Sequence, residues 1–122
     1  MSMNTVLVAD DSRSVRETLR GILTDAGYSV TETDNGKDAM HLASTQSFDL
    51  ILTDVYLPQI DGIDFISRLR ARAEYMSTPI LAISNNSLQP VKDKARAAGA
   101  TGWIKRPILE DELRLLLKRF AA

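Results

Sequence analysis

Val6-Leu7-Val8-Ala9-Asp10-Asp11-Ser12 decides how the chain is built. Four apolar residues run without a break, and two carboxylates and a hydroxyl follow at once. A short unbroken apolar run marks a strand buried on both faces, as the interior strands of a parallel sheet are. The pattern recurs at Leu50-Ile51-Leu52, followed by Thr53-Asp54, and at Ile80-Leu81-Ala82-Ile83, followed by Ser84. Weaker strand-like stretches lie at Tyr28–Thr33 and Gly102–Ile104. Within the former, Ser29-Val30-Thr31-Glu32-Thr33 alternates, and the latter runs into Lys105-Arg106, so both read as edges.

Segments with helical spacing fill the gaps. Val15, Leu19, Ile22, Leu23 and Ala26 share one helical face, as do Leu113, Leu116, Leu117 and Phe120. Ile63, Ile66 and Leu69 form a third stripe and Ala39, Met40 and Ala43 a fourth. The stretch from Leu88 to Ala98 favours helix with a thin apolar face. Ser12 is placed to cap the first helix and Gly27 to stop it. Asp61-Gly62 opens the third, Pro79 precedes the fourth strand, Gly99 ends the fourth helix, and Pro107 parts the last strand from the last helix. The alternation βαβαβαβαβα predicts an α/β fold: five parallel strands, right-handed crossovers and helices on both faces. Three buried strands between two edges are satisfied by the order 2-1-3-4-5, the flavodoxin-like arrangement, whose ligands gather beyond the carboxyl ends of the strands.

Composition narrows the function. The 122 residues suit one domain, expected to span 1–122 with no output domain after the last helix. Apolar residues make up 44% and charged residues 25%, which excludes disorder and collagen-like repeats. There is no cysteine, so thiolate nucleophiles, thiolate metal sites and disulfides are excluded. Apolar runs never exceed four residues and the N-terminus lacks a secretory pattern, so no membrane insertion and a cytoplasmic location are expected. A net charge of −1 argues against a general nucleic-acid binder. The charge is uneven: residues 1–61 carry 4 basic and 10 acidic side chains, and residues 62–122 carry 11 and 6. Such a split arises by chance, or it marks an acidic site in the first half faced by cations from the second.

Neighbouring parallel strands would bring Asp10, Asp11 and Asp54 within a few ångströms of each other. Three like charges that close need a proton or a cation. Oxygen donors with an open edge suit Mg²⁺, which keeps several waters and takes carboxylates plus a phosphate. Each residue alone has a plainer reading: Asp10-Asp11-Ser12 as a helix entry, Asp54 as a strand end, Ser84 as a turn former, Arg106 as a solvated charge. Together they supply a nucleophile, metal ligands, a hydroxyl and a fixed cation, each from a strand end.

These stretches, with Asp49–Pro58, Asp61-Gly62, Thr78–Leu81 and Ala98–Ile104 through to Pro107, resemble the receiver domains of two-component response regulators. The resemblance is greatest to the CheY-like single-domain type. It implies that Asp54 accepts a phosphoryl group, and that Asp11, Asp54 and the backbone carbonyl of Tyr56 hold Mg²⁺, with Asp10 acting mostly through water. It implies Ser84 and Trp103 as switch residues, and a cis bond between Arg106 and Pro107. The implied partners are a sensor histidine kinase or phosphotransfer protein and a downstream target on the face of the fourth helix, fifth strand and fifth helix, with chemotaxis as one such pathway. Such a domain catalyses its own phosphotransfer and dephosphorylation and is otherwise no enzyme.

The chain departs from the family pattern at Arg106, where relatives carry lysine. Alternation along a strand lets only one of Lys105 and Arg106 face the site, and Arg106 is expected there. Arginine is a planar fork and lysine a point charge, so the exchange is not conservative. Asn85 takes the place of a small residue, and Tyr56 and Asn86 flank the site; the bulk of Tyr56 is expected to shield an acyl phosphate from water. Trp103 reads equally as half-buried packing or as a switch. His41 is expected at the surface, and Lys92, Lys94 and Arg96 either form a solvated helix face or help a partner dock. Two other functions fit less well: an aspartate-nucleophile phosphatase, which lacks its usual spaced aspartates here, and a degenerate receiver that binds protein without phosphorylation.

Overall fold

The computed structural model describes residues 4–84 and 89–120. Five strands form one parallel sheet: β1 (Asn4–Ala9), β2 (Tyr28–Thr33), β3 (Leu50–Asp54), β4 (Ile80–Ser84) and β5 (Gly102–Lys105). Their order is β2-β1-β3-β4-β5, the expected one, with β2 and β5 at the edges that the burial pattern marks. Five helices connect and follow them: α1 (Arg13–Asp25), α2 (Gly36–Thr45), α3 (Gly62–Arg70), α4 (Gln89–Ala98) and α5 (Glu110–Phe120). Every residue of β3 and β4 is buried, whereas β2 is only partly so, which is the difference between interior and edge strands. β5 runs one residue past the expected end, to Lys105, because the ladder with β4 continues to the Ser84–Lys105 pair. Leu88, Asn85 and Asn86 lie outside the described residues.

The sheet separates two apolar layers. Leu7, Ile51, Ile80 and Ala82 pack with Ala39, Phe65, Ile66, Leu69 and Ala95 on the side of α2, α3 and α4. Val6, Val8, Leu52, Leu81 and Ile83 pack with Leu19, Leu23, Leu113 and Leu117 on the side of α1 and α5. Burial of each such Leu or Ile contributes about 2 kcal/mol. Phe65 belongs to this core and was absent from the expected stripe on the third helix.

Local chemistry sets the helix ends. The Ser12 hydroxyl accepts from Val15 N at 3.4 Å, and α1 stops before Gly27, whose φ of 94° is left-handed. Asn35 caps α2 by accepting from Asp38 N at 2.8 Å. Asp61 occupies the N-cap of α3 without a side-chain capping bond. α5 carries Glu110, Asp111 and Glu112 in its first turn and Lys118 and Arg119 in its last, matching the helix dipole. A short 3-10 helix at Ala73–Tyr75 has no counterpart in the sequence expectation. It places the Tyr75 hydroxyl to donate to the carbonyls of Ala43 at 2.8 Å and Gln46 at 2.9 Å.

Candidate functional site: an acidic rim with one guanidinium

Strand register builds the site. Ala9 lies opposite Thr53, so Asp10 and Asp54 leave neighbouring strands side by side. Asp54 lies opposite Ile83, which puts Ser84 next in line on β4. Ser84 lies opposite Lys105, so Arg106 is the first residue beyond β5. The backbone N–H of Arg106 donates to the carbonyl of Ser84 at 3.1 Å and closes the row.

Asp10, Asp11 and Asp54 offer carboxylate oxygens that all lie within 4.8 Å of one another. Asp10 and Asp54 are buried, and Asp11 is exposed to solvent. Asp10 Oδ1 accepts from Ser12 N at 2.9 Å, and Asp54 Oδ1 accepts from Tyr56 N at 3.0 Å. Arg106 reaches the other oxygens: its Nη2 donates to Asp54 Oδ2 at 2.5 Å and to Asp10 Oδ2. Lys105 is exposed, so the strand alternation resolves in favour of Arg106. The Arg106–Pro107 bond is cis.

The electrostatics follow from this geometry. Burial raises the carboxyl of Asp54, and the nearby charges of Asp10 and Asp11 raise it further. The Tyr56 N–H and the Arg106 guanidinium oppose them without prevailing, and Asp54 is pushed up to about 6. Burial alone would lower Arg106, but its bond to Asp10 and the surrounding carboxylates raise it. Three carboxylates therefore face one guanidinium, with an excess of negative oxygen open to solvent at Asp11. Hard oxygen donors in that arrangement fit Mg²⁺.

Sequence reasoning missed two supports. Arg16 in α1 turns back so that its Nη1 donates to the Asp10 carbonyl at 2.7 Å, while its Nε lies 3.4 Å from Glu32. A basic residue six positions after Asp10, facing back along the first helix turn, was the available signal. Gly62 is the second: a Cβ there would sit 1.8 Å from the Asp54 carbonyl oxygen. Only glycine lets α3 start this close to the strand end.

The remaining candidates lie farther out. Ser84 is buried at the rim. Tyr56, whose backbone N–H holds Asp54, is 57% exposed. Trp103, opposite Ala82, is half-buried against the α4 side of the sheet, and its indole Nε1 is buried without a hydrogen-bond partner. His41 is exposed. Lys92 is not a fully solvated charge: it is half-buried, with Nζ 6.0 Å from the centre of the Trp103 ring. No helix among the described residues is long and apolar enough to cross a membrane.

A doubly wound sheet with this acidic rim defines a signalling receiver, and residues 6–118 match the family model for the response regulator receiver domain. The chain belongs to that family, whose members are signalling modules and not classical enzymes. Chemotaxis protein CheY4 of Vibrio cholerae is similar over 98% of this chain and 99% of its own, with 35% identity and a TM-score of 0.92. The receiver domain of sensor histidine kinase PA1611 from Pseudomonas aeruginosa, described with a magnesium ion coordinated in its active site cleft, is 28% identical with a TM-score of 0.89, over 98% of both chains. The cell cycle transcriptional regulator CtrA of Caulobacter vibrioides is 34% identical over 111 residues, which cover 91% of this chain and 47% of that protein. The chain thus spans about half the length of that curated relative.

Proposed function

We propose that the chain is a phosphoacceptor of two-component signalling, with Asp54 as the residue modified. The convergence of Asp10, Asp11 and Asp54 oxygens within 4.8 Å carries this reading. In its ionised form Asp54 attacks the phosphorus of a phosphohistidine on a sensor kinase or phosphotransfer protein. A P–O bond to the carboxylate forms as the P–N bond breaks, and the imidazole, already protonated on its other ring nitrogen, leaves neutral. Asp10, Asp11, Asp54 and the Tyr56 carbonyl would hold Mg²⁺, which when bound supplies charge neutralisation on the transferring oxygens. Arg106 contributes the same from the protein side and orients the phosphoryl group. Ser84 then bonds a phosphoryl oxygen, Trp103 repacks, and the face of α4, β5 and α5 changes its affinity for a target. The exposed ring of Tyr56 shields the acyl phosphate from water. Likeness to CheY4 supports chemotaxis as the pathway; likeness to a cell cycle transcriptional regulator supports other outputs equally.

The test is treatment with acetyl phosphate and Mg²⁺ followed by intact-mass measurement. One phosphoryl group per chain is expected, absent from Asp54→Asn. A folded chain that stays unlabelled would sink the phosphoacceptor reading. One observation favours the rival, a protein-binding module that needs no phosphorylation: Arg106 already pairs with Asp10 and Asp54. That rival predicts target binding unaltered by Asp54→Asn.

A further inference from the structure

The Asp10–Asp11 peptide lies just past the end of β1. The Asp10 N–H still bonds to β2, donating to the Thr33 carbonyl at 3.1 Å. The Asp10 carbonyl turns to α1, where Arg16 Nη1 donates to it at 2.7 Å. A peptide group is planar, so a bond that fixes this carbonyl also fixes the direction in which the chain leaves for Asp11. That direction matters most for Asp11. Asp10 and Asp54 are buried and paired with Arg106, whereas the Asp11 carboxylate is exposed and gets little steering from packing. Arg16 itself stands where a cation is disfavoured: the first turn of α1 holds no acidic residue, and the helix dipole opposes positive charge there. The anion comes from the sheet. Glu32 lies opposite Val8 on β2, and its carboxylate is 3.4 Å from Arg16 Nε, with the two side chains only 17% and 16% exposed. Asp34 and Asp38 line the same cleft but accept from Asn35 Nδ2 at 2.8 and 3.0 Å. A guanidinium reaches the carbonyl and Glu32 at once because its donors point in several fixed directions.

We propose that Arg16 is a positioning residue for the metal: anchored by Glu32, it locks the Asp10–Asp11 peptide and so aims the Asp11 carboxylate at the Mg²⁺ that the acidic rim would hold. The inference rests on the phosphoacceptor reading of that rim and names the group that sets its metal affinity from behind. Arg16 acts on the backbone of the ligands and not on the ion. Without it Asp11 is free to swing, and metal binding must then order that side chain at an entropic cost that lowers affinity. Groups that orient metal ligands in this way set affinity by about tenfold or more. Arg20 supplies an internal comparison. Its guanidinium pairs with the other oxygen of Glu32 from the solvent side and is 62% exposed.

The test titrates Mg²⁺ calorimetrically into the intact chain and, as a readout free of metal, follows the order parameter of the Asp11 amide by NMR relaxation in EDTA. Arg16→Met is expected to bind Mg²⁺ about tenfold more weakly, Arg16→Lys and Glu32→Gln each about threefold, and Arg20→Met within about twofold of the native chain. In EDTA the Asp11 amide should loosen in Arg16→Met and keep its native value in Arg20→Met. Thermal melting checks the fold of each variant. Should Arg16→Met not fold, Arg16→Lys and Glu32→Gln decide the matter, and native affinity in both overturns the proposal. A salt bridge that serves stability alone lowers the melting temperature and leaves the metal affinity of the folded chain untouched. Native Mg²⁺ affinity in folded Arg16→Met, an equal loss in Arg20→Met, or an Asp11 amide as rigid as before would therefore each overturn it. Acetyl phosphate labelling of the same preparations separates the two readings. A native chain that binds Mg²⁺ but does not label loses the phosphoacceptor role, and the calorimetry still decides the role of Arg16. A chain that labels while Arg16→Met binds Mg²⁺ as tightly loses only the positioning role. A native chain that binds no Mg²⁺ overturns both.

Discussion

The two ends of the sheet solve opposite problems. At the amino-terminal end polar groups are matched by partners. Asp49 Oδ2 accepts from Thr5 N at 2.9 Å and from its hydroxyl at 3.2 Å. Arg70 Nε donates to the Gly99 carbonyl at 2.9 Å, and its Nη1 and Nη2 donate to the Tyr75 carbonyl at 2.6 Å and the Thr101 hydroxyl at 3.1 Å. Thr101 Oγ1 also accepts from Ile80 N at 3.0 Å, which ties β4 to the turn before β5. At the carboxyl-terminal end three carboxylates crowd one guanidinium, and Asp54 is held at about 6. One end is satisfied and carries stability. The other stores an excess of charge that a cation or a proton relieves, and that excess is what makes chemistry available there.

The contrast can be broken most forcefully at Arg106. Arg106→Met leaves Asp10 and Asp54 buried without their cation, and urea unfolding in EDTA at about pH 8 should show a loss of about 4 kcal/mol. Mg²⁺ should restore part of it, and so should lowering the pH, because Asp54 then takes a proton. A loss insensitive to both would mean that the rim is not charge-frustrated.

Asp54→Asn should act in the opposite direction. The folded carboxyl titrates at about 6, against 3.8 for an unperturbed aspartate, so between these limits the folded chain holds a proton that the unfolded chain has released. Below both values the group contributes nothing. As pH rises through the window, stability falls, and above it the cost levels at about 3 kcal/mol. Asp54→Asn removes that slope, so the variant should be the more stable above about pH 6 in EDTA, with the gap closing near pH 4. Equal pH profiles for the two proteins would contradict it.

The smallest effect belongs to the satisfied end. Tyr75→Phe withdraws a donor from the Ala43 and Gln46 carbonyls and should cost about 1.5 kcal/mol, with no dependence on Mg²⁺ or on pH between about 5 and 8. A metal-sensitive loss there would erase the distinction between the ends.

Legibility in the sequence followed the same division. Asp10, Asp54, Ser84 and Arg106 could be placed from residue order alone, because each ends or follows an apolar run and parallel register aligns those ends. The orders of strands and helices came from the same runs. Arg70 and Tyr75 could not be found that way. Their partners are mostly backbone carbonyls, which every residue type supplies, and no spacing rule marks a carbonyl 29 residues away as an acceptor. The short 3-10 helix escaped for a related reason: a single turn leaves no hydrophobic period to detect. Gly62 was visible as a helix opener, but its contact with the Asp54 carbonyl exists only once α3 folds back over β3.

That contact has a consequence for how a lineage of such chains can drift. A methyl group at position 62 would have to push the start of α3 away from the strand end, and the Asp61 cap and the loop carrying Tyr56 would be dragged with it. A saturation library scored for signalling should therefore show a forbidden position at a residue that touches no phosphate and carries no side chain. Neutral variation would pile up freely along the outer face of α2 while position 62 stays fixed, a silent boundary stone beside the aspartate.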